Sequence, residues 1–268
     1  MKTVPVIAAV ALLGLTGGSA PSRANLSAVE VRILSAVGMR QVMLVLGPGY
    51  EQVSGNRLSI VYDSGAIIAR RVLDGETADL VLLPQAGIDQ LAQAGRIVPD
   101  PIPLASSYIG VAVRAGAQKP DISSPAALKR ALLDAKVITV PDPALGGSSG
   151  VHLARMFEKL GIAEALKGKL LLSSTPQDES TLPGALVAAG KADIALHQMQ
   201  ELRAVAGLQV VGSLPKELDE TFVFSAAVLK GSAQPAASQA LIQFLRTSAA
   251  AGVIRLIGMN PMRRYRDD

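Results

Sequence analysis

The chain has 268 residues, 49% hydrophobic and 18% charged, which excludes an intrinsically disordered protein and gives length for one or two packed domains. It contains no cysteine, so a disulfide framework, a thiol nucleophile, a Cys-ligated metal and a lipid-anchored N-terminal cysteine are excluded. The formal net charge is +4, but the Lys and Arg residues are scattered without interleaved aromatics, which argues against nucleic acid; the absence of Trp argues against a sugar cleft.

In chain order, Met1–Ala24 reads as a secretory signal peptide, with Lys2 at its start, an apolar core Val4–Leu15 too short to span a bilayer, and small residues in Ser22-Arg23-Ala24. Cleavage after Ala24 is expected to leave a mature protein exported to a bacterial periplasm. Strands are expected at Val29–Leu34, Leu58–Tyr62 and Ala78–Leu83, each followed by a helix: Met39–Leu46, Ala66–Leu73 and Ile88–Ala94. Gly47-Pro48-Gly49 should interrupt the first of these helices. The alternation predicts a mostly parallel sheet with ligands beyond the carboxyl ends of its strands, at Ser35–Gly38, Asp63–Gly65 and Pro84-Gln85.

After the Pro-rich Pro99–Pro103, a second unit follows. Strand Ile109–Arg114 precedes a helix opened by Ser124-Pro125, then strand Val137–Val140, the loop Gly146–Gly150 and helix Val151–Leu160. Ala163–Lys167 and Leu182–Ala189 read as helices, and Leu170–Ser173, Ala192–Leu196 and Leu208–Val211 as strands. Strand Thr221–Leu229 and helices Ser238–Leu245 and Ala249–Leu256 close the chain. The expected fold is α/β, with two Rossmann-like lobes, a two-crossing hinge and an interlobe cleft. Residues 25–105 and 220–268 form lobe I and 106–219 lobe II. The cleft is the expected ligand site.

The loop Gly146-Gly147-Ser148-Ser149-Gly150 lies between a strand and a helix. Free backbone N–H groups, two hydroxyls and the helix dipole make such a place receptive to an anion. It also matches Gly-x-Ser-x-Gly, but Pro141–Leu145 separates it from the strand, unlike the sharp turn of a hydrolase elbow. Two His and no Cys make a poor metal set, so no metal and no cofactor are expected.

The phrases Ala69–Leu83 (ARRVLDGETADLVLL), Ile88–Ile97 (IDQLAQAGRI), Pro141–Gly161 (PDPALGGSSGVHLARMFEKLG), Gly184–Leu196 (GALVAAGKADIAL) and Gly258–Pro261 resemble periplasmic solute-binding proteins of the molybdate-binding type. Pro120–Ser124, Gly150-Val151-His152 and Val211–Pro215 resemble the subgroup that includes aconitate isomerase. The resemblance implies a small anionic ligand, an ABC permease partner in the inner membrane, no nucleic acid and a monomer. Molybdate-binding members use serines on the first two loops, at positions that look like Gly38 and Gly65 here, and a tyrosine at a position that looks like Gln198; loop amides match Ser149 and Leu182. The altered hydroxyls imply a wider cleft and favour an organic carboxylate over molybdate.

The expected ligand-binding residues are Ala36, Val37, Gly38, Met39, Ser64, Gly65, Gln85, Ser148, Ser149, Gly150, Leu182 and Gln198. A second reading is an isomerase moving a proton in the same cleft. It would need a base within reach of substrate, for which His197 and His152 are the candidates, with Asp63 and Glu179 as carboxylate options. Arg40, in a first helical turn, is expected to be solvated.

Overall fold

The structure is a computed structural model and describes residues 28–173 and 178–262. Met1–Ala24, expected to be a signal peptide, lies outside the described residues.

The first part runs β1 (Glu30–Ala36), a 3-10 turn (Val37–Met39), α1 (Arg40–Ser54), β2 (Arg57–Asp63), α2 (Gly65–Leu73), β3 (Leu80–Pro84), α3 (Gln85–Gln93) and β4 (Ile102–Ser107). The middle part runs β5 (Ile109–Arg114), α4 (Pro125–Asp134), β6 (Ile138–Pro141), a 3-10 turn (Pro143–Leu145), α5 (Ser148–Lys159), α6 (Ala163–Leu166), β7 (Leu170–Ser173), a 3-10 turn (Glu179–Thr181), α7 (Pro183–Ala188), β8 (Ile194–Gln198), α8 (Met199–Arg203) and β9 (Leu208–Ser213). The last part is β10 (Phe222–Val228), α9 (Pro235–Leu245), α10 (Ser248–Leu256) and β11 (Asn260–Pro261).

These strands form two sheets, ordered β11-β4-β10-β3-β1-β2 and β7-β6-β8-β5-β9. In the first, β1 pairs in parallel with β2 and β3, while β10 runs antiparallel between β3 and β4. In the second, β6 pairs in parallel with β7 and β8, and β5 is antiparallel to β8 and β9. Both sheets are therefore mixed. The βαβ alternation fixes only the parallel strands; β5 and β10 enter without a crossover helix and run the other way. The chain passes from the first sheet to the second between Ser107 and Ile109, and returns between Ser213 and Phe222. Ser107 and Phe222 lie opposite each other in the β4–β10 pair.

The local chemistry follows the sequence. β3 is buried along Leu80–Leu83, as a strand covered on both faces must be. Ser124 caps α4 by accepting from Ala127 N–H, with Pro125 in the first turn. α5 buries Ser149, Leu153, Met156 and Phe157, one stripe at helical spacing. α9 and α10 pack beside α1: Tyr50 and Phe244 meet edge to face at 5.6 Å, and the Tyr50 hydroxyl donates to Ala237 O at 2.8 Å. Buried Asp79 ties the return to β1, accepting from Arg32 N–H through one oxygen and from Ser232 Oγ and Gln234 N–H through the other.

Several expectations need correction. α1 is continuous through Pro48 to Ser54. The carbonyl that Pro48 cannot bond belongs to Leu44, 54% exposed on the solvent side, so the missing bond falls where water can replace it. Ser148-Ser149-Gly150 are not loop but the first turn of α5, with Gly147 as N-cap. β8 extends through His197 and Gln198, and α8 starts at Met199. Two strands were not anticipated: β4, which overlaps the Pro-rich stretch at Ile102 and Pro103, and the two-residue β11.

Candidate functional site

A cavity of ≈ 70 Å³ lies between the two sheets. From the first sheet it is lined by Ala36, Val37, Gly38, Ser64, Gly65, Pro84 and Phe224, and from the second by Pro141, Asp142, Leu145, Gly147, Ser148, Ser149, Ser173, Leu182, His197 and Gln198. Ser64, Pro84, Gly147, Leu182 and Gln198 are the N-caps of α2, α3, α5, α7 and α8, and Ala36 precedes the 3-10 turn that leads into α1. Helix starts from both sheets thus converge on one small space, where unpaired N–H groups and positive dipole ends favour an anion. A larger open groove of ≈ 870 Å³ on the second lobe is lined by Arg114, Lys119, Arg130, Asp134 and Asp193 among others. Its charges are of both signs, and no helix N-cap lines it.

The two lobes touch around the cavity. Ser64 Oγ accepts from Ile67 N–H at 3.2 Å and donates to Leu145 O at 2.8 Å, across the cleft. Gly146 has φ +68°, and a Cβ there would come within 2.8 Å of the Ala66 Cβ. A Cβ on Gly38 would lie 2.4 Å from Phe224 Cζ and 2.5 Å from Gln198 Oε1. A Cβ on Gly65 would lie 2.8 Å from Pro84 Cδ. The two glycines therefore do not widen the cleft, as the sequence suggested: Phe224, Gln198 and Pro84 fill the space that serine side chains would need.

His197 is buried at 7% exposure, and its Nδ1 accepts from Gln198 N–H at 2.8 Å. Burial pushes its pKa down to about 4, and the Arg40 charge acts in the same direction. At neutral pH it is an uncharged imidazole. With Nδ1 occupied as an acceptor, Nε2 carries the proton, so His197 acts as a donor there and not as a base. Asp142 is the one carboxylate among the lining residues, and its Oδ1 already accepts from Ala144 N–H.

Arg40 is buried, at 5% exposure, rather than solvated. Its guanidinium lies 5.2 Å from the Tyr62 ring centroid and 3.5 Å from Glu179 Oε1, which comes from the other lobe. Burial raises the Tyr62 pKa to about 12 against the opposing pull of Arg40. Burial likewise raises Glu201 to about 8; Arg40 opposes this and Glu179 adds to it. Glu201 is mostly protonated at neutral pH, and its Oε1 has no hydrogen-bond partner among the described residues.

Met39, Gln85 and Gly150 do not line the cavity. Met39 is wholly buried in the core, Gln85 bonds Asp89 and Ser225, and Gly150 packs against Pro141 O. Asp63 accepts from Ser64 N–H behind the second loop. His152 lies elsewhere: its Nδ1 is 2.7 Å from Glu220 Oε2 and its Nε2 2.8 Å from Leu218 O. With Lys159 Nζ donating to Glu217 O, it straps residues 217–220 to α5. A His one turn from a receptive loop looks like a site residue in sequence, but position 152 faces the return crossing. Phe224, Ser173 and Asp142 were not anticipated; they come from distant strands and a cap, with no local motif.

The sequence matches the bacterial extracellular solute-binding protein family over residues 31–260, and the chain belongs to that family. Its fold is the two-lobed type II form. The chain is 32% identical over 266 residues to an aconitate isomerase of a Pseudomonas species, covering 96% of this chain and 98% of that protein. In structure it is similar to the periplasmic molybdate-binding protein of Azotobacter vinelandii (TM-score 0.68, 14% identity, 85% of this chain and 98% of that one). It is also similar to the sulfate-binding protein SubI of Mycobacterium tuberculosis (TM-score 0.67, 21% identity, 88% of each chain).

Proposed function

We propose that this is a periplasmic binding protein that captures a small anion, an organic carboxylate in preference to molybdate, and delivers it to an ABC permease. Its two lobes, joined at Tyr108 and again between Ser213 and Phe222, close on the ligand. The observation that carries the reading is the convergence of helix N-termini from both sheets on the cavity, joined there by Ser148, Ser149, Gln198 and the neutral His197. Gly38, Gly65 and Leu182 contribute backbone, not side chains. The carboxylate preference rests on the 32% identical aconitate isomerase, since Phe224, Gln198 and Pro84 fill the space beside the two loop glycines.

Thermal stability of the protein lacking residues 1–24 is measured against molybdate, tungstate, sulfate, phosphate, citrate, cis-aconitate and trans-aconitate. A ligand at a hundred times its Kd adds about 2.7 kcal/mol. Stabilisation by a carboxylate is expected; stabilisation by molybdate and tungstate alone removes the carboxylate reading, and none by any anion removes the anion reading. The same aconitate relative favours a second reading, an isomerase interconverting cis- and trans-aconitate. Proton NMR of the protein with either isomer over hours tests it. As His197 is arranged, its Nε2 would donate, so the proton acceptor would have to be another group, with Asp142 the carboxylate at the cavity.

A further inference from the structure

Gln200 is outside the cavity lining and 1% exposed, yet both polar atoms of its side chain are committed. Its Nε2 donates to Gly38 O at 2.9 Å, in the loop after β1, and to Gln198 Oε1 at 2.8 Å, at the cavity. Its Oε1 accepts from Ser107 Oγ, at the end of β4 just before the chain crosses between sheets. The reverse amide orientation would set its oxygen against two acceptors, so the donors must point to Gly38 and Gln198. With Gln198 Oε1 taken up as acceptor, the Gln198 NH₂ is left as the group to offer a ligand. The bond to Gly38 O forms only when that loop meets β8 and α8, that is, with the cleft closed.

We infer that Gln200 is a positioning residue that couples lobe closure to the presentation of the Gln198 amide. One side chain reads three places: the crossing, the first-lobe loop and the ligand-facing amide. Opening the cleft removes Gly38 O and frees the Gln200 NH₂ to turn, so the Gln198 amide loses its fixed orientation. A ligand then meets an ordered donor only in the closed form, which makes the site selective for anions small enough to permit closure. The inference about ligand rests on the anion-binding reading; the inference about closure does not.

The test uses the chain's lack of cysteine. Exposed Gln90 and Lys167, one on each lobe, are changed to Cys and labelled as a fluorescence-transfer pair. Gln200→Met, which keeps the length and removes the polar atoms, is expected to give a more open protein without added anion. It is also expected to weaken binding of sulfate or cis-aconitate, whichever binds, by tenfold or more. In a Gln198→Ala background the same change should weaken binding by much less, because the two residues act as one unit. An unchanged interlobe distance, or equal losses in both backgrounds, overturns the inference. If neither anion binds the parent protein, the anion reading is what has failed, and the interlobe distance still decides the role of Gln200. If Gln200→Met does not fold, Ser107→Ala carries the distance test: it removes the anchor on Gln200 Oε1 together with a long 3.5 Å contact to Tyr108 O, and a smaller opening supports the inference while none overturns it.

Discussion

The two walls of the cavity are built on opposite plans. The wall from the first sheet shows backbone and apolar surface: Ala36, Val37, Gly38, Gly65, Pro84 and Phe224, with the Ser64 hydroxyl already engaged. The wall from the second sheet has Pro141, Leu145, Gly147 and Leu182 too, but adds polar side chains to them: Ser148, Ser149, Ser173, His197, Gln198 and Asp142. One wall therefore measures shape and the other measures chemistry. A ligand has most to gain by meeting the second wall first, and closure then adds the helix starts of the first.

The largest effect expected from this asymmetry is in pH, because the second lobe places uncharged ionisable groups at and behind its wall. The Glu201 pKa is raised from 4.5 to about 8, so the unfolded chain releases its proton first and stability falls as pH rises between those values. Glu201→Gln should abolish that alkaline loss, on the order of 4 kcal/mol at pH 8 and near zero at pH 4, read from urea unfolding at each pH. His197 has the opposite sign: its pKa falls from 6.5 to about 4, so stability is lost as pH falls through that window, and His197→Gln should flatten the acid side.

Next comes the shape-measuring wall. Gly38→Ala should cost binding about 1–3 kcal/mol through overpacking against Phe224 and Gln198, roughly a 5- to 150-fold loss by calorimetry. If the ligand-free melting temperature falls by the same amount, the glycine serves folding rather than closure, and the comparison of walls breaks. Smaller again, Ser148→Ala and Ser149→Ala should each weaken binding about tenfold, the worth of one hydroxyl donor to an anion, with little change in the ligand-free protein. Smallest is Ser64→Ala, which removes the α2 cap and one bond across the cleft; it should lower stability by about 1 kcal/mol and affinity only a few-fold. If Ser64→Ala weakened binding more than Ser149→Ala, chemistry would reside on the first wall after all.

Much of this was legible in the sequence because it is local. The βαβ units of the first lobe, the Ser124-Pro125 helix start and the receptive Ser148-Ser149 pair are each written in neighbouring residues. β4 was hidden because Pro103, which has no N–H to donate to a ladder, sits inside it, and β10 and β11 pair with the strand from distant parts of the chain. Arg40 read as a solvated first-turn cation because nothing near it in sequence announces Tyr62 or Glu179. Gln200 carried no signal at all: its partners are Gly38, Ser107 and Gln198, and the first two lie 162 and 93 residues away. Recognition that depends on two lobes meeting leaves little trace in either lobe's own sequence.

The strap of His152 and Lys159 on residues 217–220 has a mechanical consequence. The return crossing is long, but the strap makes it travel with α5, so its free joint shrinks to the neighbourhood of Thr221. The outgoing crossing is the single residue Tyr108. Because Ser107 and Phe222 lie opposite each other in paired strands, the two joints stand side by side, about 5 Å apart by ordinary strand spacing. Two adjacent pivots define one short axle across the ends of β4 and β10. In a rigid rotation displacement grows with distance from the axle, so Ser107 stays nearly still while the Ser64–Leu145 bond across the cleft must break.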